Sequence, residues 1–227
     1  MANTHQLNKT DAGASGNTLL EVVRELFPRE SAKPVRHRRR SYIYNQGDPA
    51  VSIFCLIWGV VALERIDADG RMAMFGVAKG GSLLAGHDLV DKAPHRNSAQ
   101  ALTTSEMVVI PSDRFYAMLR HDERLLAIVM QQAAIQMSAY EEHILRLSTL
   151  DVSDRLYSTL CALVGSPSEE CGPVEASTPL LKRDLAAMVG TSPETISRSL
   201  RRLEEQEVAE FTGRSTFRLY PPKKRSL

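Results

Sequence analysis

The stretch from Leu181 to Glu205, LKRDLAAMVGTSPETISRSLRRLEE, constrains this chain more than any other. It reads as two short helices joined by a tight turn, the second built to enter a DNA groove. Leu181, Leu185 and Met188 recur at helical spacing and are expected to turn inward, and Ala186 is small where a second helix must cross closely. Gly190 supplies a turn conformation that other residues resist. Ser192 is a good N-cap, and Pro193 suits the first helical position, where its missing N–H costs nothing. Ile196, Leu200 and Leu203 pack the second helix onto the first. Glu194, Thr195, Ser197, Arg198, Arg201 and Arg202 are left on outward or flanking positions.

Those residue types suit base readout. An arginine at Arg198 can donate two hydrogen bonds to guanine O6 and N7, worth about 1–3 kcal/mol of discrimination. Glu194 can accept from a cytosine amine, and Ser197 is short enough to approach a base edge or a methyl group. Arg201 and Arg202, one turn on, suit phosphates, as do Thr191 and Ser192 at the helix start. An ordinary surface helix of mixed charge is the competing reading. The cap, the turn glycine, the small crossing residue and the basic face argue against it together.

VAEFTGRSTFRLY, Val208 to Tyr220, alternates around Gly213 and reads as a two-stranded wing, with Arg214 or Ser215 at its tip able to touch the DNA backbone. From Ser177 to Leu227 there are ten Lys or Arg against six Asp or Glu, although the whole chain carries only +1. A positive terminal domain on a near-neutral chain fits a nucleic-acid module.

Upstream, residues 112–150 show helical periodicity. Leu126, Met130, Ala133, Met137, Tyr140, Ile144 and Leu147 alternate four and three apart, placing them on one stripe of a long helix. With no proline or glycine in three heptads, a helix–helix dimer seam is preferred to a helix covering its own domain. A further helix is expected at about Val152 to Val164, capped by Asp151 or Ser153, and a loop, GSPSEECGPVEAST, joins it to the DNA module. Residues 41–111 look all-β, with turns at Gln46-Gly47-Asp48, Asp67 to Gly70, Lys79-Gly80-Gly81 and Lys92-Ala93-Pro94. VSIFCLIWGVVALERI is strand material with Gly59 as a tight turn or bulge, and ADG before RMAMFGV signals a hairpin. Eight or so strands in this length suggest a jelly roll. Leu19 to Phe27 is expected to be a short helix, and Arg36 to Arg40 a solvated basic loop.

The fold class expected is therefore α+β: an N-terminal jelly-roll β-barrel, a long dimerisation helix and a C-terminal winged helix-turn-helix. The boundaries fall at 1–30 for a flexible segment with a short helix, 31–115 for the barrel, 116–150 for the long helix and 151–227 for the DNA-binding domain. A hydrophobic content of 43% supports packed cores. No apolar run is long enough to span a membrane, and the N-terminus lacks the pattern of a signal peptide, so the expected location is the cytoplasm. Three widely spaced cysteines form neither a disulfide framework nor a four-thiolate cluster. Cys55 and Cys161 read as buried apolar residues. Cys171, in a polar loop beside Gly172, is the thiol placed for redox chemistry.

The chain resembles the cyclic-AMP receptor and fumarate–nitrate-reduction (Crp/Fnr) family of bacterial transcription factors from about residue 35 to 220. The likeness rests on Gln46-Gly47-Asp48, on Gly59, Gly70 and Gly81, on NSAQALTTSEMVVIP at Asn97 to Pro111, on the long helix, and on ETISR at Glu194 to Arg198. It implies a homodimer whose long helices pair, recognition helices that read inverted repeats in promoter DNA, contact with RNA polymerase and, in most cases, activation. The pattern of Glu194, Ser197 and Arg198 is similar to the fumarate–nitrate (Fnr/FixK-like) branch and implies a TTGAT-N4-ATCAA site. The cyclic-AMP branch carries glycine where Ser197 stands.

The resemblance also frames the sensor. Relatives that bind cyclic AMP hold its ribose and phosphate with Gly-Glu and Arg-Ser pairs. Here the matching positions are Gly86-His87 and Asn97-Ser98, and Arg96 is one residue out of place, on the opposite strand face. Cyclic nucleotide binding is therefore not expected, and three thiols do not suit the family's iron–sulfur cluster. His87, in GSLLAGH, matches the spacing of a haem ligand in the carbon-monoxide-sensing relative, although Ala85 stands where its cysteine would be. A loop histidine is the plainer reading, so no cofactor is expected, with haem the alternative. Other routes of control are a small organic effector, oxidation of Cys171, or protein abundance alone. No hydrolase, metalloprotease, P-loop or dinucleotide motif is present, which argues against an enzyme.

Overall fold

The computed structural model describes residues 18–27, 34–85, 93–168, 172–213 and 215–222. The chain divides into two compact units, Asn8–Glu141 and Glu142–Leu227.

In the first unit, helix α1 (Leu19–Leu26) starts from a reciprocal cap. The Thr18 hydroxyl accepts the Glu21 N–H at 3.4 Å, and the Glu21 carboxylate accepts the Thr18 N–H at 2.8 Å. Eight strands follow among the described residues: β1 (Pro34–His37), β2 (Tyr42–Tyr44), β3 (Ser52–Trp58), β4 (Val60–Ile66), β5 (Met72–Lys79), β6 (Leu83–Leu84), β7 (Ser98–Ala101) and β8 (Ser105–Pro111). They form two antiparallel four-stranded sheets, ordered β1-β8-β3-β6 and β2-β7-β4-β5. Phe54, Leu56 and Met107 from one sheet and Tyr44, Val61, Leu63 and Ala99 from the other share one core. Ile53 and Cys55, the alternate positions of β3, face a second core with α1, Phe115 and Leu125. A strand buried on both faces needs apolar residues at every position, which is why SIFCLI shows no polar alternation.

The expected jelly-roll barrel is not formed. Closure requires a hydrogen-bonded ladder all the way round. Among the described residues each sheet instead ends at edge strands, β1 and β6 in one and β2 and β5 in the other. The domain is an open two-sheet sandwich. The basic run also differs from a loop: Arg36 and His37 lie in β1, paired with β8. Arg36 is held by Glu106 at 3.0 Å and lies over the Trp58 ring at 5.5 Å. Gly59 turns β3 into β4 at φ +107, and a Cβ there would come 2.7 Å from the Ser105 Cα.

The helical stretch after β8 is two helices, α2 (Ser112–His121) and α3 (Glu123–Thr149). Asp122 separates them in an extended conformation, and its carboxylate accepts the N–H groups of Arg124 and Leu125 at 2.9 and 3.1 Å. Leu125, Ile128 and Val129 of α3 pack on the second core. Gln132 fastens the same helix to the sandwich, donating to the Gly81 carbonyl at 2.7 Å and accepting the Leu83 N–H at 3.0 Å.

The second unit contains α4 (Val152–Val164), β9 (Val174–Ser177), α5 (Lys182–Val189), α6 (Pro193–Glu205), β10 (Ala209–Phe211) and β11 (Thr216–Leu219). The wing is a three-stranded sheet, β10-β11-β9, not two-stranded. The third strand comes from the segment read as a loop; its one buried residue, Ala176, leaves too weak an alternation to see in sequence. Leu156, Leu160, Leu185, Met188, Ile196, Leu203, Phe217 and Leu219 build the core of this unit. Leu181 departs from expectation: it is the residue before the first turn of α5, and its side chain is 44% exposed.

Candidate nucleic-acid interface

Two caps and one glycine set the helix pair. The buried Asp184 carboxylate accepts the Leu181 N–H at 2.7 Å and fixes the start of α5. Gly190 ends α5 in the left-handed region (φ 71, ψ 50), a conformation that a side chain disfavours. Ser192 then caps α6, its hydroxyl accepting the Thr195 N–H at 3.3 Å, with Pro193 in the first turn as the sequence predicts. Ile196 and Leu203 are buried beneath α6, and so is Ser199, which the spacing of apolar residues does not reveal.

On the opposite face Glu194, Arg198, Arg201 and Arg202 are exposed, with Thr195 and Ser197 half-buried. The Arg198 guanidinium donates through Nη2 to the Thr195 hydroxyl at 3.0 Å, and that hydroxyl lies 3.2 Å from Ser192 Oγ. Its own backbone N–H, then the Ser192 hydroxyl and the Arg198 charge, hold the Glu194 carboxyl below the ordinary carboxylate range. It is therefore an anion at neutral pH and an acceptor only. Ser197 Oγ donates to the Pro193 carbonyl at 3.1 Å and accepts from Lys182 Nζ at 3.1 Å. Lys182 adds a cation to this face from the start of α5, a placement that only the crossing of the two helices produces and that no local sequence pattern shows.

A shallow open groove runs beside α6, lined by Asp151, Val152 and Ser153 at the start of α4 and by Thr195, Arg198, Ser199 and Arg202 of α6. Arg202, expected at phosphates, is paired here with Asp151 at 3.3 Å. Asp151 is also the cap of α4, accepting the N–H groups of Ser153 and Asp154 at 2.9 Å each. Arg155, one turn on, donates Nη1 to the carbonyls of Leu147 and Leu150 at 3.3 and 3.1 Å. It thereby satisfies acceptors that the end of α3 leaves open. Thr191 lies in the turn, its N–H donated to the Ala186 carbonyl at 3.0 Å. Arg214, expected at a phosphate from the sequence, lies outside the described residues.

The stripe on α3 is largely open to solvent in the single chain. Met130, Met137 and Ile144 are each more than 60% exposed, Leu126, Ala133 and Leu147 are exposed, and only Tyr140 is half-buried, edge-on to Phe75 at 6.4 Å. The residues of α3 that cover the sandwich, Leu125, Ile128 and Val129, are not the stripe residues.

The effector positions divide. His87, Gly86 and Cys171 lie outside the described residues. Asn97 and Ser98 are buried, whereas Arg96 is exposed. Asn97 Oδ1 accepts the Tyr44 hydroxyl at 3.2 Å, and Ser98 Oγ accepts the Gln46 N–H at 2.9 Å. Tyr44 is stacked between Phe54 at 5.4 Å and buried His95 at 4.0 Å. Asn97 is thus neutral and already engaged where a phosphate would need a cation. Burial pushes the Cys55 thiol up to about 12 and raises that of Cys161, so neither is a ready thiolate. No helix among the described residues is long and apolar enough to cross a membrane.

Residues 34–122 match the cyclic nucleotide-binding domain family, and residues 154–223 match the Crp-like helix-turn-helix domain family. The cAMP-activated global transcriptional regulator Vfr of Pseudomonas aeruginosa is 27% identical over 187 residues, covering 79% of this chain and 87% of that protein. Among solved structures, the c-di-GMP responsive global regulator CLP of Xanthomonas campestris is similar with a TM-score of 0.74 and 25% identity, over 88% of this chain and 98% of that one. FixK2 of Bradyrhizobium japonicum is similar with a TM-score of 0.70 and 21% identity, over 84% of this chain and 93% of that one. These likenesses single out no branch, since three differently described proteins resemble the chain to a comparable degree.

Proposed function

Because the chain belongs to the Crp/Fnr family of bacterial transcriptional regulators, we propose that it is a homodimeric, sequence-specific activator without enzymatic activity. It reads an inverted repeat of the TTGAT-N4-ATCAA type in promoter DNA and meets RNA polymerase there. The observation that carries this reading is the division of α6. Ile196, Ser199 and Leu203 are buried, which leaves Glu194 and Arg198 one turn apart on an exposed face beside Ser197. Arg198 suits guanine O6 and N7, and the ionised Glu194 suits a cytosine amine. The serine at 197 favours the TTGAT half-site. The exposed apolar stripe on α3 supports a two-fold dimer, whose two recognition helices then ask for half-sites about one helical turn apart.

Control does not run through the cyclic-AMP phosphate pair, because Asn97 supplies no charge. The test is retention of a TTGAT-N4-ATCAA duplex by the full-length protein, compared with a duplex of the same composition and scrambled half-sites, over a series of salt concentrations. Preference for the intact repeat by about 10³-fold or more is the expected result for a specific site. Equal affinity for both duplexes overturns the assigned sequence.

A further inference from the structure

The groove beside α6 contains an acidic group that DNA readout does not call for. A carboxylate on a surface that meets phosphates repels them, and a side chain needed only to start a helix could be serine, threonine or asparagine. Asp151 divides its two oxygens. Oδ1 accepts both N–H groups at the start of α4, at 2.9 Å each, and Oδ2 lies 3.3 Å from Arg202 Nη2. The cap makes this carboxylate a fixed charge, unlike the terminus of a mobile surface side chain. Arg202, about half exposed, is the mobile partner. The same groove is lined by Thr195 and Arg198, so a DNA strand reaching Arg198 passes beside the pair. The Asp154 N–H, and after it the Arg202 charge and the Ser153 N–H, hold the Asp151 carboxyl below the ordinary carboxylate range. The carboxylate therefore stays charged at neutral pH.

We propose that Asp151 is a built-in counter-ion for the recognition helix, neutralising Arg202 and so limiting sequence-independent attraction to the DNA backbone. Readout by Glu194, Ser197 and Arg198 then supplies a larger share of the total affinity. The inference rests on the DNA-binding reading above. It also links the first turn of α4 to the charge of α6: any shift of that turn carries the carboxylate with it.

Asp151→Asn tests it cleanly, because asparagine caps a helix about as well as aspartate and only the charge is lost. With Arg202 freed, affinity for both the intact and the scrambled duplex should rise, by about threefold per protomer and about tenfold for a dimer. The dependence of log affinity on log salt should steepen by about 0.9 for each phosphate gained. Arg202→Gln alone leaves the Asp151 charge unmasked and should lower affinity for both duplexes by about as much as Asp151→Asn raises it, whereas the double variant should return to the wild-type affinity and slope. A wild type that retains no duplex at low salt overturns both readings. A wild type that binds, with Asp151→Asn unchanged in affinity and slope, overturns this one alone. So does a double variant whose affinity and slope stay well below those of the wild type, since Arg202 would then already be at a phosphate.

Discussion

The polar side chains of the proposed readout lie within one helix of 13 residues, and several point away from the protein. The polar cluster of the sandwich draws Tyr44 from β2, Ser98 from β7 and His95 and Asn97 from the approach to β7, and those four side chains are buried. In the first region the hydrogen-bonding capacity is partly spent inside the helix, and a charged remainder is left for a partner. In the second, Tyr44 meets Asn97, and Ser98 meets a backbone N–H. Within one chain, then, one region is built to be completed from outside, while the other completes itself. The two sets of residues share no side chain.

The largest effect that would break this contrast is at Arg198. Removing its guanidinium by Arg198→Ala should cost about 1–3 kcal/mol in each half-site, and so about 30-fold to about 10⁴-fold in a symmetric duplex. Binding to the scrambled duplex should be retained with much of its salt dependence. Titration of both duplexes by fluorescence anisotropy checks this. Unchanged preference for the intact repeat would mean that the exposed face of α6 is not what reads the sequence.

The stripe on α3 comes next. Met137→Glu together with Ile144→Glu places two carboxylates on a surface that is already exposed in the single chain, so folding should survive. If the stripe is the seam between two copies, sedimentation should show monomers. Affinity for the inverted repeat should fall by about 10²-fold or more, because the second half-site is no longer held at high effective concentration. Persistence of the dimer would place the interface elsewhere.

These two experiments concern features that local sequence made legible. Cap, proline, turn glycine and helical spacing all act within a few residues, so Ser192, Pro193, Gly190 and the buried Ile196 and Leu203 stand where the spacing puts them. The same holds for α4 and its cap Asp151, and for the β4–β5 hairpin at Asp67 to Gly70. What was not legible depends on pairing between distant residues. The third strand of the wing, β9, gains its conformation from β11 about forty residues later. Whether two sheets close or stay open depends on edge ladders that no local pattern encodes, and the barrel expectation failed for that reason. Lys182 on Ser197 and Arg202 on Asp151 are likewise products of helix crossing. The sequence shows Asn97 standing where a cation would be, but its partner Tyr44, fifty-three residues away, leaves no local signal.

That partner gives the third prediction. Tyr44→Phe keeps the ring stack and removes the hydroxyl donated to Asn97. The loss should be about 1 kcal/mol, lowering Tm by about 2–4 °C in a chain of this size. Affinity for the duplex should stay within about twofold, since surface readout and sandwich interior are separate in this view. A change in DNA affinity larger than the change in stability would show that the buried cluster is coupled to output.

The smallest effect sits at His143 on α3, where the second unit carries a partly buried group of its own. Burial first, then the charges of Arg146 and Arg155, hold its imidazole below the ordinary value. Glu141 and Glu142 lie on the same helix, and Glu142 is 3.9 Å from Arg146. The folded protein therefore binds this proton less tightly than the unfolded chain does. Linkage then fixes the sign: stability is full above the unfolded value near ~6.5, declines as pH falls through it, and levels off below the folded value. Solvent screening at this half-exposed position keeps the effect small, about 1–2 °C in Tm between pH 7 and 5. His143→Gln carries no titrating proton and should flatten that part of the curve. Thermal unfolding of the two proteins in matched buffers decides it. Identical slopes would mean that the ring stays hydrated and screened enough in the folded protein for neither burial nor the two arginines to weaken its hold on the proton.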